Sequence, residues 1–531
     1  MQRSYFLYFQ LFLQALVFIS HFASQAEASN DQRNLADVFR AIPPNVHCEE
    51  IIHTNSDGVS IQVCKSGTVR MLPWVTRALR LQRLVSYRRD ICSVPIIGSH
   101  NSGISMAYGY GASDHLISRF SDVIGKFETS NQYFSVLDQL QLGVRLIEVD
   151  IHYFNNQIRV AHCGGFTSST LDSLLNRVRK LPFVGKFVHS SGIIGCQPSF
   201  SGIPTKDQQP VENLLREIAN WLQKSTTQFV FVYLDGDMQL LEEKKVNLLI
   251  KLIKDIFVDS EIFRPSDRAV RCDSDLLLAV HPNLAFEQNT ETWPSTLELL
   301  QYGKRVMFLS RYDYSAQDDS YLFFKENVCN WTEPSLPLTD YPNCYFNKSQ
   351  VFASSLYGTI DRVLSSEIQY GLFNSDGQFR QKENILDERN LLGVLKCGVN
   401  IPSPDNITPV RMQSMIWTMA RENTWSPGSC LGLERNSEFW HQIDCQAIPA
   451  NTAAACQSIK DARIWTISAR AVLSLDDALE ACAQTEAVAT ENSVVMAFSI
   501  PATAYENVVL MEAFKSSRFD RVIFNTNLLN M

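Results

Sequence analysis

The chain has 531 residues, 45% of them hydrophobic and 19% charged, which suffices to bury one large domain with an appendage, or two to three smaller domains. Its formal net charge is -9, with the acidic excess spread out and no basic face, so a nucleic-acid partner is not expected. No internal repeat or low-complexity tract stands out.

Residues 1–28 carry Arg3, a largely apolar run from Phe6 to Phe22, and the small-x-small triplet Ala26-Glu27-Ala28. This pattern reads as a secretory signal peptide cut after about Ala28. Gln10, Gln14 and His21 break the apolar run, which disfavours an uncleaved membrane anchor. No later segment is apolar for long enough to span a bilayer, and the C-terminus has no hydrophobic tail of the lipid-anchor type. The protein is therefore expected to be secreted. Its 13 cysteines fit an oxidising compartment, and the odd count leaves at least one without an intramolecular partner. Asn330, Asn347 and Asn406 open glycosylation sequons.

Residues 29–89 form a lead-in, with a hairpin turning at Asp57-Gly58 and a local Cys48–Cys64 disulfide expected across it. From residue 91 the sequence alternates. CSVPIIGS, VRLIEVDIHYF, QIRVAHCGG, TQFVFVYLDGD and KRVMFLSRY read as strands, and VRMQSMIWTMA as a later one. FSVLDQLQLG, PVENLLREIANWLQKST and EKKVNLLIKLIKDIF read as helices. Apolar strands alternating with amphipathic helices predict a parallel α/β architecture. Residues 163–205 and 313–355 read as long insertions. After residue 424 the density of cysteine and tryptophan rises, and 424–531 reads as a separate disulfide-supported module.

Polar residues collect at the ends of different predicted strands: His100, Glu148 and Asp150, His162, Asp235, Arg311. In a TIM-type (β/α)8 barrel those C-terminal ends share one face and form the site, so residues 90–423 are expected to fold that way. No glycine-rich dinucleotide loop follows the first strand. Glu148 and Asp150 alternate along their strand and point the same way. With Asn101 and Asp235 they make an oxygen-rich donor set, which suits Ca2+ first and Mg2+ second. A histidine pair beside a hard cation suits phosphodiester cleavage, one ring protonating the leaving oxygen. Taken singly, each residue has a plainer reading: a histidine after a strand is more often a hydrogen-bonded structural residue, and an acidic pair can face solvent.

Ser99-His100-Asn101-Ser102, Gly143 to Asp150 and Ala161-His162-Cys163-Gly164 resemble the X-region of phosphatidylinositol-specific phospholipases C. The motif resemblance covers about residues 90–240. It implies a distorted TIM barrel, with GKRVMFLSRY and MIWTMARENTW resembling later barrel strands. It further implies His100 and His162 as the catalytic pair, with His162 as the acid and His100 contacting the phosphate or taking the hydroxyl proton. Attack by the inositol 2-hydroxyl would give a cyclic phosphate and release diacylglycerol. Asn101, Glu148, Asp150 and Asp235 fall on the calcium-ligand positions of the eukaryotic members. Metal-free bacterial relatives place an arginine where Asp150 stands, so the metal-dependent form is expected. Asp235 departs from the glutamate of animal enzymes. Lys304, Arg311 and Tyr312 flank a strand where the family keeps ring-binding residues, although a surface lysine and a salt-bridged arginine would look the same. The C-terminal Cys430, Trp440, Cys445 and Cys456 are similar to parts of C-type lectin-like domains, in unusual order; a disulfide-stapled packing module is the plainer reading.

The expected function is a secreted phosphoric diester hydrolase or lyase acting on phosphatidylinositol-type phospholipids or glycolipids at a membrane surface. Two rivals stand beside it: a glycerophosphodiesterase or sphingomyelinase D-like activity, and a secreted binding protein on a degenerate barrel.

Overall fold

The computed structural model describes residues 38–529 except 116–128, 164–194, 198, 200, 237–238, 270–292, 318–319, 334–337, 347–350, 353–358, 366–384, 424, 426–428 and 486–494. The signal-peptide reading, Asn347 and Cys272 thus lie outside the described residues, as does most of the first insertion. Residues from Ala41 to Met531 form one compact unit.

A lead-in helix, α1 (Pro73–Ser86), starts with proline in its first turn, where a missing N–H costs nothing, and buries Val75, Ala78, Leu79, Leu81 and Val85. The strands that follow are β1 (Gly98–Ser99), β2 (Leu146–Phe154), β3 (Gln157–Val160), β4 (Val230–Gly236), β5 (Val306–Ser310) and β6 (Leu322–Phe324). They pair in the order β6-β5-β4-β2-β1, every pair on that path being parallel. β3 adds to β2 antiparallel as a hairpin over Asn155 and Asn156. A second parallel group contains β7 (Trp331–Thr332), β8 (Ile360–Leu364) and β9 (Ile401–Ser403) in that order.

This is a mixed α/β fold with parallel sheets. Among the described residues the ladders do not close into a barrel: they form two separate arcs. Single backbone hydrogen bonds join β1 and its flanks to the β9 region, Ile96 N–H to the Asn400 carbonyl at 2.6 Å and His100 N–H to the Pro404 carbonyl at 3.3 Å. Here glycine is required, because a Cβ on Gly98 would collide with Ser403 Oγ. The Cys92–Cys329 disulfide ties the residues before β1 to those before β7.

The two faces of the main sheet differ as the period of two demands. Ile147, Val149 and Ile151 of β2 and Val230, Val232 and Leu234 of β4 pack with α2 (Val136–Leu142), α3 (Val211–Lys224) and α4 (Val246–Ile256). The alternate residues Leu146, Phe231, Tyr233, Met307 and Leu309 pack with Ile360 and Ile401 from the other arc. Glu148, Asp150 and Asp235 continue that second face toward the C-terminal strand ends.

The C-terminal residues build their own sheet from β10 (Cys430–Glu434), β11 (Trp440–Ile443), β12 (Thr452–Ser458), β13 (Trp465–Ile467), β14 (Met496–Phe498) and β15 (Arg521–Ile523), ordered β11-β10-β15-β12-β13 with β14 on β12. Cys430–Cys445 and Cys456–Cys482 staple it. It packs closely on the preceding residues. Glu506 at the start of α5 (Ala504–Lys515) is fully buried and binds Arg89 at 2.6 and 3.0 Å. Trp440 is fully buried, meets Trp417 edge to face at 5.3 Å between centroids, and donates to Asn507 at 2.8 Å.

The expected Cys48–Cys64 bridge is present, with Cys163–Cys196 and Cys344–Cys397 completing six pairs. Cys272 is the cysteine left over. One strand expectation fails. VRMQS lies in a helix, Pro409–Ser414, because Thr408 accepts from Arg411 N–H and Pro409 occupies the first turn. The preceding Ile401–Ser403 is the strand instead.

Candidate active site

β1 ends in a tight turn. Asn101 takes a left-handed φ of 44°, a conformation asparagine tolerates better than most residues, and its N–H donates to Glu148 Oε2 at 2.8 Å. Ser102 N–H donates to the Glu148 carbonyl at 2.9 Å, and Ser102 Oγ accepts from Glu148 N–H at 3.0 Å. The SHNS segment is thereby fastened to β2 at the position of its first acid.

The three acids converge. Asp150 and Asp235 are direct cross-strand partners, Glu148 lies opposite Tyr233, and carboxylate oxygens of all three fall within 4.8 Å of one another. The Asn101 amide stands 3.1 Å from both Asp150 oxygens, and its nitrogen is the end that suits those acceptors. The three acids are thus brought together with the Asn101 side chain beside them, its nitrogen toward Asp150.

Two arginines enter the same space. Arg362 of β8, completely buried, donates to Glu148 at 2.6 and 3.2 Å and to Glu333 at 3.2 Å. It also stacks over the Tyr233 ring at 4.8 Å. Burial works to raise Glu148, but Arg362 and His100 outweigh it and hold the carboxyl below its ordinary range. Glu333 is likewise pulled down to about 2, against burial, by Arg362 and Lys325. Arg311, at the end of β5, donates to Asp235 at 2.9 and 3.3 Å. Asp235 is still raised by burial and by Glu148. Among the described residues no arginine pairs with Asp150, and burial, Asp235 and Glu148 raise it well above the usual carboxylate range against the more distant Arg362 and Arg311.

The His100 ring faces the acids from β1. Its Nδ1 lies 2.7 Å from Asp405 Oδ1, which also accepts from Asn131 Nδ2 at 2.8 Å. Burial pulls His100 down, but Asp405, with Glu148 adding to it, raises it overall. His162, just past β3, is exposed. Desolvation by the surrounding protein and the neighbouring charge of His100 push it down to about 4.

Other expected site residues divide. Tyr312 lies beside Arg311, the guanidinium 5.9 Å from its ring. Lys304 does not join them. It precedes β5 at the opposite end of the strand, pairs with Asp267 at 2.8 Å and donates to the Ile262 carbonyl at 3.0 Å. Its expected grouping with Arg311 fails because the length of β5 separates the two ends. Asn330 is exposed, as a glycan acceptor must be. Asn406 is only 5% exposed, and its N–H donates to the Asn131 carbonyl, so the expected acceptor role at Asn406 conflicts with its burial.

Asp405, Arg362, Glu333 and Asn131 escaped the sequence reading. Asp405 had a usable signal, since it closes the short IPSP stretch as Asp235 closes FVFVYL. Arg362 had a weaker one: a charged residue within a five-residue strand that alternates with Asp361.

The family model for the phosphatidylinositol-specific phospholipase C X region matches residues 110–186, which include Glu148, Asp150 and His162. Over residues 110–186 the chain is similar to the phosphatidylinositol-specific phospholipase C X-domain family. It is accordingly an enzyme of the phospholipase C type, a phosphodiesterase. Among solved structures, phosphatidylinositol-specific phospholipase C from Listeria monocytogenes is similar at 11% identity, covering 63% of this chain and 97% of that one, with a TM-score of 0.32. A double mutant of the Staphylococcus aureus enzyme matches at 12% identity, covering 64% and 97%, with a TM-score of 0.31. Scores this low do not establish a shared fold. A search of curated proteins gives no match.

Proposed function

We propose that this protein is a secreted phosphodiesterase that cleaves phosphatidylinositol-type lipids by paired histidine chemistry. The carrying observation is the His100–Asp405 pair, at 2.7 Å, facing a cluster of three carboxylates with His162 within electrostatic reach. In this reading the two sheet arcs are parts of one barrel whose strand ends hold the site.

His100 accepts the proton of the attacking hydroxyl, and Asp405 stabilises the imidazolium that forms. The hydroxyl oxygen bonds to phosphorus, the bond from phosphorus to the diacylglycerol oxygen breaks, and His162 gives that oxygen a proton. In the free site His162 is held neutral. A bound phosphodiester anion opposes that depression and lifts the ring toward its protonated form. Arg311 and Tyr312 bind the headgroup.

The donor set fits a hard divalent cation: three carboxylates within 4.8 Å of one another, with the Asn101 amide beside Asp150 able to offer its oxygen only by turning over. Asp150, Asp235, Glu148 and Asn101 would hold Ca2+, which would supply positive charge to the phosphate. A second reading rests on the two-pronged grip of Arg362 on Glu148, which supplies fixed positive charge without any metal.

Product analysis on phosphatidylinositol vesicles tests the proposal. Diacylglycerol and a cyclic inositol phosphate are expected with calcium, and their loss with chelator. Equal activity in both leaves the arginine reading. Release of choline or glycerol from other lipids points to the rival phosphodiesterase, and no turnover on any phosphodiester removes the catalytic proposal.

A further inference from the structure

At the other end of the sheet, the last turn of α1 carries Arg83. Its Nε is buried without a hydrogen-bond partner, and among the described residues its guanidinium meets no carboxylate. A Cβ on Gly143 would lie 3.2 Å from Arg83 Nη1, so the guanidinium rests against the turn that leads into β2. Two residues on stands Arg145, only 5% exposed. Its partners are all uncharged: Gln228 Oε1 at 2.6 and 3.0 Å, the Leu140 and Val144 carbonyls, and the Trp221 ring at 4.6 Å.

Both arginines line one cavity of about 30 Å³, counted as space open to the centre of a water molecule, whose walls include Leu79, Ile96, Ile97 and Leu395. One water needs roughly 10–15 Å³ on that measure, so a lipid headgroup or a nucleotide does not fit. Gln82 and Ser86 also reach the cavity, but their amide and hydroxyl are engaged with Met415, Trp417 and Ala502. Arginine stays charged at neutral pH, and a half-buried guanidinium with an unpartnered Nε, beside a second, buried cation and without a carboxylate, is costly.

We propose that this cavity binds one small inorganic anion of halide size, held by Arg83 and backed by the positive charge of Arg145. The site lies away from the catalytic strand ends and does not depend on the lipid reading. Burial and the charge of Arg145 lower Arg83 only to about 9, so the anion's partner remains protonated at physiological pH.

The test uses the full chain. Crystals soaked in bromide should show an anomalous peak in the cavity beside Arg83, and none in R83M. In solution, replacing gluconate by bromide at constant ionic strength should raise the wild-type melting temperature by about 2–4 °C at saturating anion, and R83M by less than about 1 °C. An empty cavity in the wild-type crystal, or an equal rise in both proteins, overturns the proposal. Should R83M fail to fold, the wild-type crystal decides alone.

Discussion

The two ends of the main sheet handle buried charge in opposite ways. At the C-terminal strand ends, carboxylates gather and arginines come to meet them: Arg362 meets Glu148 and Arg311 meets Asp235, while Asp150 is left over. At the N-terminal ends, arginines gather and no acid among the described residues meets Arg83. A buried charge persists only with compensation, so a leftover charge marks where something outside the chain belongs. The sign of the leftover gives the sign of the guest: a cation or a proton near Asp150, an anion near Arg83. Asp361 shows the remaining solution. It is fully buried, faces away from Arg362, and leaves Oδ2 without a partner. Burial pushes it up to about 7, so a proton serves as its counter-charge.

The hardest blow to this comparison comes from the matched end. His100→Ala and His162→Ala should each lower turnover on phosphatidylinositol by about 10²–10⁴-fold without a matching loss of stability. An ester with a nitrophenol leaving group needs no acid, so it should restore the His162 variant and not the His100 variant. Recovery of the His100 variant alone would reverse their roles.

Removing a partner comes next. Arg362→Met strands Glu148 and should cost about 3–5 kcal/mol in chemical denaturation, whereas R362M with E148Q should recover much of it. A single variant as stable as wild type would mean that Glu148 does not need its arginine.

Asp361→Asn tests compensation by a proton. Its folded value of about 7 lies above the ordinary 3.8, so the wild type loses stability as pH rises between those values. The asparagine variant should match wild type near pH 4 and exceed it above pH 7 by a few kcal/mol, at roughly 1.4 kcal/mol for each tenfold difference in proton affinity between the folded and unfolded chain. A constant difference between the two proteins across that range would exclude the titration.

The pH profile is a finer probe. The acid limb of kcat/KM should fall near pH 4, where His162 in the free enzyme takes up its proton. A limb near 6.5 would mean that His162 is not depressed. Smallest of all, Lys304→Ala should leave kcat/KM within about twofold, because its ammonium is bound to Asp267 at the wrong end of β5. Arg311→Ala should raise KM.

How much of this could be read from residues depended on distance along the chain. The IIGSHNSG turn, the alternating acids of VRLIEVDIHYF and the strand end at Asp235 were legible because periodicity places them locally. Asp405 and Arg362 were not, since each acts on a partner more than two hundred residues away, and nothing local distinguishes an arginine inside a sheet from one on its surface. Lys304 failed for a related reason: a strand's two ends look alike in sequence, and only the direction of the parallel ladder tells them apart. Asn406 satisfied a three-residue pattern that carries no information about burial.

The Cys92–Cys329 bridge spans 237 residues and encloses Cys163–Cys196 within its loop. Glu148, Asp150, His162 and Asp235 all lie inside that loop, whereas Arg362 and Asp405 lie beyond it. A protease that nicks the chain once between residues 93 and 328 therefore yields two fragments that travel together until a reductant is added. Where the nick falls between residues 236 and 328, reduction would detach the strands bearing the acids from the fragment bearing their arginine and the histidine's aspartate. In this molecule the wholeness of the active site is a question of redox state as well as of sequence.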